Sequence, residues 1–451
     1  MSEQARDGPE HAHLTSEELD RLLAVDRTEE QNRNLFHQIA VCPGCREAGG
    51  YLLDLFQSGA LSLRFGLVEV ALARSRAEAP ELWRRLEPLS SEERLRLIHA
   101  DPNFASWGLC ELLCRESRRA APGDASLAIH LGELAVTVAD LLGDGGPAED
   151  RWTYQLRSYA WAHLGNARRV QGNLRSADEA FELSEQWYGA GEESVGDSLG
   201  YGPAILLLKA SLWNDQRRFD EAIHLADKAV AEYLHGDPEL RDRHLAGRAL
   251  IMKSHILADR GEPEAAITAL REAEELVDPG RDPRLSYCLR HNLLDNLGQA
   301  GRYAEAEALL PEVRACCQDA GTNLDAVRLR WSEGRITAGL GRIEEARRIF
   351  EETRREFTAR NMSYDAALAT LELAALYIKE GRTSEVRNLA QEMIEIFRAQ
   401  DVHREALAAL AVFHSAAVLE TATVELTRET ASRLEKERRH PYGKTRDLCG
   451  E

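Results

Sequence analysis

The sequence predicts an all-α protein, an α-solenoid of about seven helix pairs preceded by a small three-helix module. Three observations carry this. Alanine, leucine, glutamate and arginine dominate, aromatics are only 6%, and β-branched residues are sparse, so helix is the default along the chain. Glycines recur every 40 residues, at Gly261, Gly301, Gly341 and Gly381. Each opens the same short pattern: Gly261-Glu-Pro-Glu-Ala-Ala266, Gly301-Arg-Tyr-Ala-Glu-Ala306, Gly341-Arg-Ile-Glu-Glu-Ala346 and Gly381-Arg-Thr-Ser-Glu-Val386. A chain of 451 residues is too long for one core, and a repeat array extends a fold along one axis.

The N-terminal module is expected over residues 1–60. Within it His37-Gln-Ile-Ala-Val-Cys42-Pro-Gly-Cys45 places two thiols in one tight turn, spaced to grip a tetrahedral zinc ion. Thr28 and Gln31 form a capping-box pattern that opens a helix ending near His37, and Thr15 with Glu18 forms another. A closed site needs a fourth ligand, for which His13 and His11 are the candidates. The other cysteines, Cys110, Cys114, Cys288, Cys316, Cys317 and Cys449, lack ligand spacing and read as small hydrophobes in a reducing compartment.

This arrangement resembles the zinc-binding anti-sigma domain family, with an upstream His or Cys, two helices, and a His followed by Cys-x2-Cys opening a third. The resemblance covers about residues 10–60 and implies zinc ligation by His13, His37, Cys42 and Cys45. The gap from His37 to Cys42 is one residue longer than the family pattern. The family implies control of an alternative sigma factor by sequestration, sometimes relieved by thiol oxidation.

A helical linker is expected over residues 61–100 and the array over residues 101–420. In each unit helix A ends at the glycine, which accepts a left-handed backbone. Helix B folds back tightly, so its first core position stays small, and a larger residue follows one turn later, as at Leu270, Leu310 and Phe350. Looser copies run from Leu164-Gly165 through Gly172, Ala177 and Phe181, and from Trp213 through Arg217-Arg218-Phe219 to Ala222, Ala226 and Ala229. A degenerate unit is expected at 104–142. The order of small and large residues resembles the tetratricopeptide repeat over roughly residues 100–420, with a longer period than its usual ~34 residues. A polar capping helix and a tail are expected over residues 421–451.

Several activities find no support. Net charge is −20, from 76 acidic against 56 basic residues, which disfavours a phosphate backbone as partner. The N-terminus lacks the apolar core of a signal peptide, and no uninterrupted apolar span is expected, so the reading is cytoplasmic with no membrane contact. Gly196-Asp-Ser198-Leu-Gly200 matches a hydrolase nucleophile pattern, but it sits outside the strand-to-helix context that chemistry needs. Cys110 and Cys114, four apart on a helix, read as core packing. No acid, base and nucleophile converge, and no enzyme is expected.

The expected business surface is the array. A stripe of helix A positions holds Arg248, His255, His291, Asp295, Arg328, Trp331 and Arg335, the last three on one helix face. If exposed, arginines beside a tryptophan would grip an anionic peptide or carboxylate. The equivalent residues of the next unit, Leu368, Leu371 and Ala375, are expected to pack on the C-terminal helix. The partner is thus a protein: a sigma factor for the N-terminal module, or a peptide client for the array.

Overall fold

A computed structural model describes residues 64–121, 123–143, 151–191, 200–236, 241–399 and 404–439. These form eighteen α-helices and one 3-10 turn, with no strand among the described residues. The helices are α1 (Arg64–Leu86), α2 (Ser91–Ala100), α3 (Trp107–Ala120), α4 (Ala125–Gly143), α5 (Arg151–Gln171) and α6 (Leu174–Gly191). They continue as α7 (Gly202–Asp215), α8 (Phe219–His235), α9 (Arg243–Arg260), α10 (Pro263–Glu274), α11 (Pro283–Gln299) and α12 (Tyr303–Ala320). The last six are α13 (Asn323–Gly339), α14 (Ile343–Ala359), α15 (Ser363–Lys379), α16 (Thr383–Ala399), α17 (Arg404–Val418) and α18 (Val424–Arg439).

Seven consecutive antiparallel pairs, α3/α4 to α15/α16, form a TPR-like solenoid. Each helix packs on its sequence neighbours, with α6 and α7 meeting least, and the odd-numbered helices from α3 to α13 also touch one another in succession. The odd helices therefore make an inner layer and the even ones an outer layer.

The turn between the helices of a pair follows from backbone sterics. Gly261, Gly301, Gly341 and Gly381 all have positive φ, between 70° and 92°. The next amide reaches back to a carbonyl five residues earlier: Glu262 to Leu257, Arg302 to Leu297, Arg342 to Thr337 and Arg382 to Tyr377. This is the six-to-one bond that closes a helix C-terminus around a left-handed residue. Arg217 adopts the same conformation (φ 63°) without being glycine, and Arg218 donates to the Trp213 carbonyl in the same way. In the four turns that an arginine follows, that arginine pairs with a glutamate three residues on, at Arg218–Glu221, Arg302–Glu305, Arg342–Glu345 and Arg382–Glu385. Further ion pairs stitch one unit to the next, as at Arg260–Asp220 (2.7 Å) and Arg302–Glu264 (3.0 Å).

The small-then-large order on helix B fills the space between pairs. Ala266, Ala306 and Ala346 are buried together with Leu270, Leu310 and Phe350. Cys110 and Cys114 lie in the core, as expected, and the Cys110 thiol donates to the Ala135 carbonyl (3.3 Å).

Three features depart from the sequence expectations or refine them. The stretch expected as a linker supplies α1 and α2, and α1 packs directly on α3. One segment, Ala125–Leu142 in α4, is long and apolar enough to cross a membrane, where none was expected. His130, Glu133 and Asp140 interrupt it, and it lies between α3 and α5 with Leu131, Leu134, Ala135, Val138 and Ala139 in the core. The array also ends in a reversed pair: α17 packs on α16 in the outer layer, and α18 returns to the inner layer against α15. Leu434 of α18 is fully buried in the cluster that holds Leu368 and Leu371, which is the contact expected for the capping helix.

Candidate functional site

The inner layer positions every residue of the expected stripe: Arg248 and His255 on α9, His291 and Asp295 on α11, Arg328, Trp331 and Arg335 on α13. The four zinc-ligand candidates, His13, His37, Cys42 and Cys45, lie outside the described residues, as does Ser198.

The stripe is not uniformly exposed, and the expectation needs correction at three positions. His291 is 1% exposed, and Arg328 and Trp331 are 8% exposed. An inner-layer helix touches the next inner helix as well as both of its outer partners, so little of its circumference is left to solvent. Trp331 packs edge-on against Phe357 of α14, with ring centroids 5.8 Å apart, inside the C-terminal core. Arg248, His255, Asp295 and Arg335 remain partly exposed.

The exposed and buried members still form one polar constellation. The Ser332 hydroxyl donates to Asp295 Oδ1 across the α11–α13 contact (2.6 Å). His291 Nδ1 lies 3.7 Å from Asp295 Oδ2, and neither ring nitrogen has a hydrogen-bond partner among the described residues. Burial pushes the His291 imidazole below its ordinary range, against the opposing pull of Asp295 and Asp325. Arg335 stands 5.8 Å over the Trp331 ring and extends its Nε to 3.4 Å from Glu372 Oε1 on α15. Burial lifts the Glu372 carboxyl above the usual range, Arg335 opposes this, and Glu435 on α18 adds to it. Glu372 and Arg335 keep 38% and 29% of their side-chain surface, so this ion pair is only partly buried and remains reachable from solvent.

Sequence reasoning missed the contribution of Glu372 and Glu435. Glu372 sits one residue after Leu371 on the face expected to be apolar, and Glu435 belongs to a helix read as a cap. It also missed the N-terminal half of the layer. There Arg76 grips Glu111 through two bonds of 2.7 Å, and the Tyr201 hydroxyl donates to the same carboxylate. Trp107 Nε1 donates to the Tyr201 hydroxyl (2.9 Å). The Tyr201 ring stacks on Tyr159 at 4.4 Å, and Tyr159 meets the His163 ring edge-on at 4.5 Å. His163 is buried and its pKa falls to about 3, first from burial and then from Arg118. Among the described residues no group of three or more His, Cys, Asp or Glu side chains is arranged to hold a metal ion.

No family model matches the chain, and no curated protein matches it. Among solved structures, similar ones include a Rap protein complexed with competence and sporulation factor, at 13% identity and TM-score 0.49, covering 74% of this chain and 88% of that one. Another is aspartyl phosphate phosphatase F from Bacillus subtilis, at 14% identity and TM-score 0.42, covering 83% and 95%. A third is a signal transduction ATPase with numerous domains, carrying a tetratricopeptide repeat sensor, from Pyrococcus horikoshii. It shares 14% identity at TM-score 0.44, covering 96% of this chain and 66% of that one.

Proposed function

We propose that this protein is a cytoplasmic, non-catalytic scaffold that binds a protein or peptide partner along the inner layer of its solenoid. One observation carries the reading: the Arg335–Glu372 ion pair, contributed by successive inner helices, is only partly buried and stays reachable from solvent. Asp295 and Glu435 act on the same guanidinium, so charges of both signs gather at this pair. A mixed-charge lining suits an extended polypeptide, whose amides and charged side chains can be matched one by one. The test is affinity capture of the tagged chain from its host, comparing wild type with Glu372→Lys and Arg335→Glu. Partners that vanish in both charge reversals support the inner layer as the docking surface. Partners indifferent to both place binding elsewhere.

A second, finer reading rests on the spacing of His37, Cys42 and Cys45. In it the N-terminal segment binds one zinc ion through those residues and His13 and holds a sigma factor, while the array recruits or senses another protein. Two thiolates and two imidazoles are a donor set suited to tetrahedral zinc. Zinc content of the purified full chain, measured before and after Cys42→Ser with Cys45→Ser, tests the metal. Capture of a sigma factor by wild type but not by the double variant would support the rest. If zinc is lost and every partner is retained, the metal is only a staple.

A further inference from the structure

The helix that closes the array is held more lightly than those beside it. α16 buries Val386, Leu389, Ala390, Met393 and Ile394, and α17 buries Leu410, Phe413 and three alanines. Among the described residues of α18, Leu434 is the one apolar side chain that is buried. Thr427, Thr430 and Leu434 fall at i, i+3 and i+7 and are buried together, so two positions of this inward stripe are threonines. The Thr427 hydroxyl donates to the Thr423 carbonyl (2.9 Å), and that of Thr430 to the Leu426 carbonyl (2.8 Å). Each hydroxyl proton stays within its own segment, so neither ties α18 to α15.

The face beneath α18 is better suited to a helix than α18 is to the face. Leu434 enters a cluster that includes Leu368 and Leu371 of α15 and Phe413 of α17, with Leu426 and Ala431 packed against it but only partly buried. A threonine buried against such side chains gives up apolar contact that valine, of the same shape, would make. Charge adds to the mismatch. Burial first and Glu435 next lift the Glu372 carboxyl, so docked α18 sets one carboxylate towards another. The turn leading in holds Glu420 at φ 57°, a left-handed conformation that costs any residue bearing a β-carbon. Each feature lowers the stability of the docked helix, and each can be removed by changing α18 or the turn before it.

We propose that α18 is an exchangeable occupant of its place on α15, and that a partner takes that place with an amphipathic helix. The partner helix carries aliphatic residues where α18 has Thr427, Thr430 and Leu434, and a basic residue where it has Glu435. The aliphatic residues fill the cluster, and the basic one meets Glu372 instead of opposing it. A basic helix is also drawn to a chain of net charge −20. The inference rests on the inner layer being a docking surface, and it gives the partner at Arg335 and Glu372 a second, helical contact on α15. While α18 is seated the face is closed, so apparent affinity falls in proportion to the fraction of chains that α18 has left open.

The test is fluorescence anisotropy of a labelled synthetic peptide titrated with the purified full chain. The peptide has the sequence of residues 421–439 with Thr427→Val, Thr430→Val and Glu435→Lys. Saturable binding to the wild-type chain is expected, tighter than that of the unaltered sequence. Leu434→Ala in the chain loosens the resident helix and should tighten peptide binding roughly tenfold or more. Thr427→Val with Thr430→Val in the chain secures the resident helix and should weaken peptide binding by a similar factor. Circular dichroism melts check that each chain is folded at the assay temperature, and Leu434→Val replaces Leu434→Ala if that chain is not. A peptide that fails to bind the loosened chain, or binds loosened and secured chains equally, would overturn the proposal. Partner capture by the Arg335 and Glu372 variants is read separately. Exchange of α18 with capture indifferent to both charge reversals would leave the helix site standing and remove the ion pair from it. Capture that needs both charges, with no peptide binding, would make α18 a fixed cap.

Discussion

Gly165 on α5 lies against the ring of Phe181 on α6: a β-carbon at residue 165 would stand 2.9 Å from Cδ2 and Cε2 of that ring. Gly334 on α13 repeats the relationship four units later, where a β-carbon would come within 2.7 Å of Phe350 Cε1. In both units an aromatic ring of helix B occupies the place that a side chain of helix A would need. Both rings are fully buried, so neither can swing away.

Gly334→Ala should therefore destabilise the array by about 1–3 kcal/mol through overpacking. Urea unfolding of the variant measures it, and the double change Gly334→Ala with Phe350→Leu should recover part of the loss. Equal stability of wild type and the single variant would mean that the ring is not confined as described.

Arg217 supplies a prediction of opposite sign. A left-handed conformation costs a residue bearing a β-carbon about 1–2 kcal/mol, while glycine's greater freedom in the unfolded chain takes back part of any gain. Arg217→Gly, which restores the residue used at the four regular turns, should raise stability by about 0.5–1 kcal/mol. The expected signature is a higher urea midpoint with an unchanged slope.

Much of this fold was readable because its rules are local. Positive φ at a helix end selects glycine, so Gly261, Gly301, Gly341 and Gly381 announce the turns, and Ala266 with Leu270 announces the helix that follows. The looser copy through Arg217-Arg218-Phe219 turns in the same way with a non-glycine residue at positive φ. The inner-layer stripe was readable as a face but not as an exposure. Helical spacing puts Arg328, Trp331 and Arg335 together, whereas the burial of Trp331 comes with its packing on Phe357 of α14, a residue 26 positions on.

His163 sets a pH dependence. Its folded pKa of about 3 lies below the ordinary value near 6.5, so the unfolded chain takes up a proton first as pH falls. Stability is fully present above pH ~6.5 and drops through the window from there towards 3, by about 2 kcal/mol at pH 5 from this residue alone. His291, also depressed by burial, acts in the same direction. Chemical unfolding at pH 7 and pH 5 should show the drop, and His163→Gln should shrink it. A stability profile as steep in His163→Gln as in wild type would assign the acid sensitivity to other groups.

The reversed last pair leads to the final prediction. In a regular continuation α17 would lie against α15, leaving the next unit's face open to further stacking. Here α18 occupies that position, with Leu434 buried among α15 residues and Thr427 and Thr430 also buried. The polar, arginine- and glutamate-rich outer side of α18 then ends the array with a surface that water can solvate, as terminal repeats require. Leu434→Ala should cost about 2–4 kcal/mol if the site cannot collapse. Truncation after residue 420 should do more than destabilise. It uncovers Leu368 and Leu371, an apolar face on a repeat built to stack, and the shortened chain should self-associate as its concentration rises. Sedimentation velocity over a range of concentrations distinguishes the outcomes. A truncated chain that stays monomeric and folded would mean that α15 needs no cover, and that α18 is held in the inner layer for what Glu435 contributes beside Glu372 and Arg335.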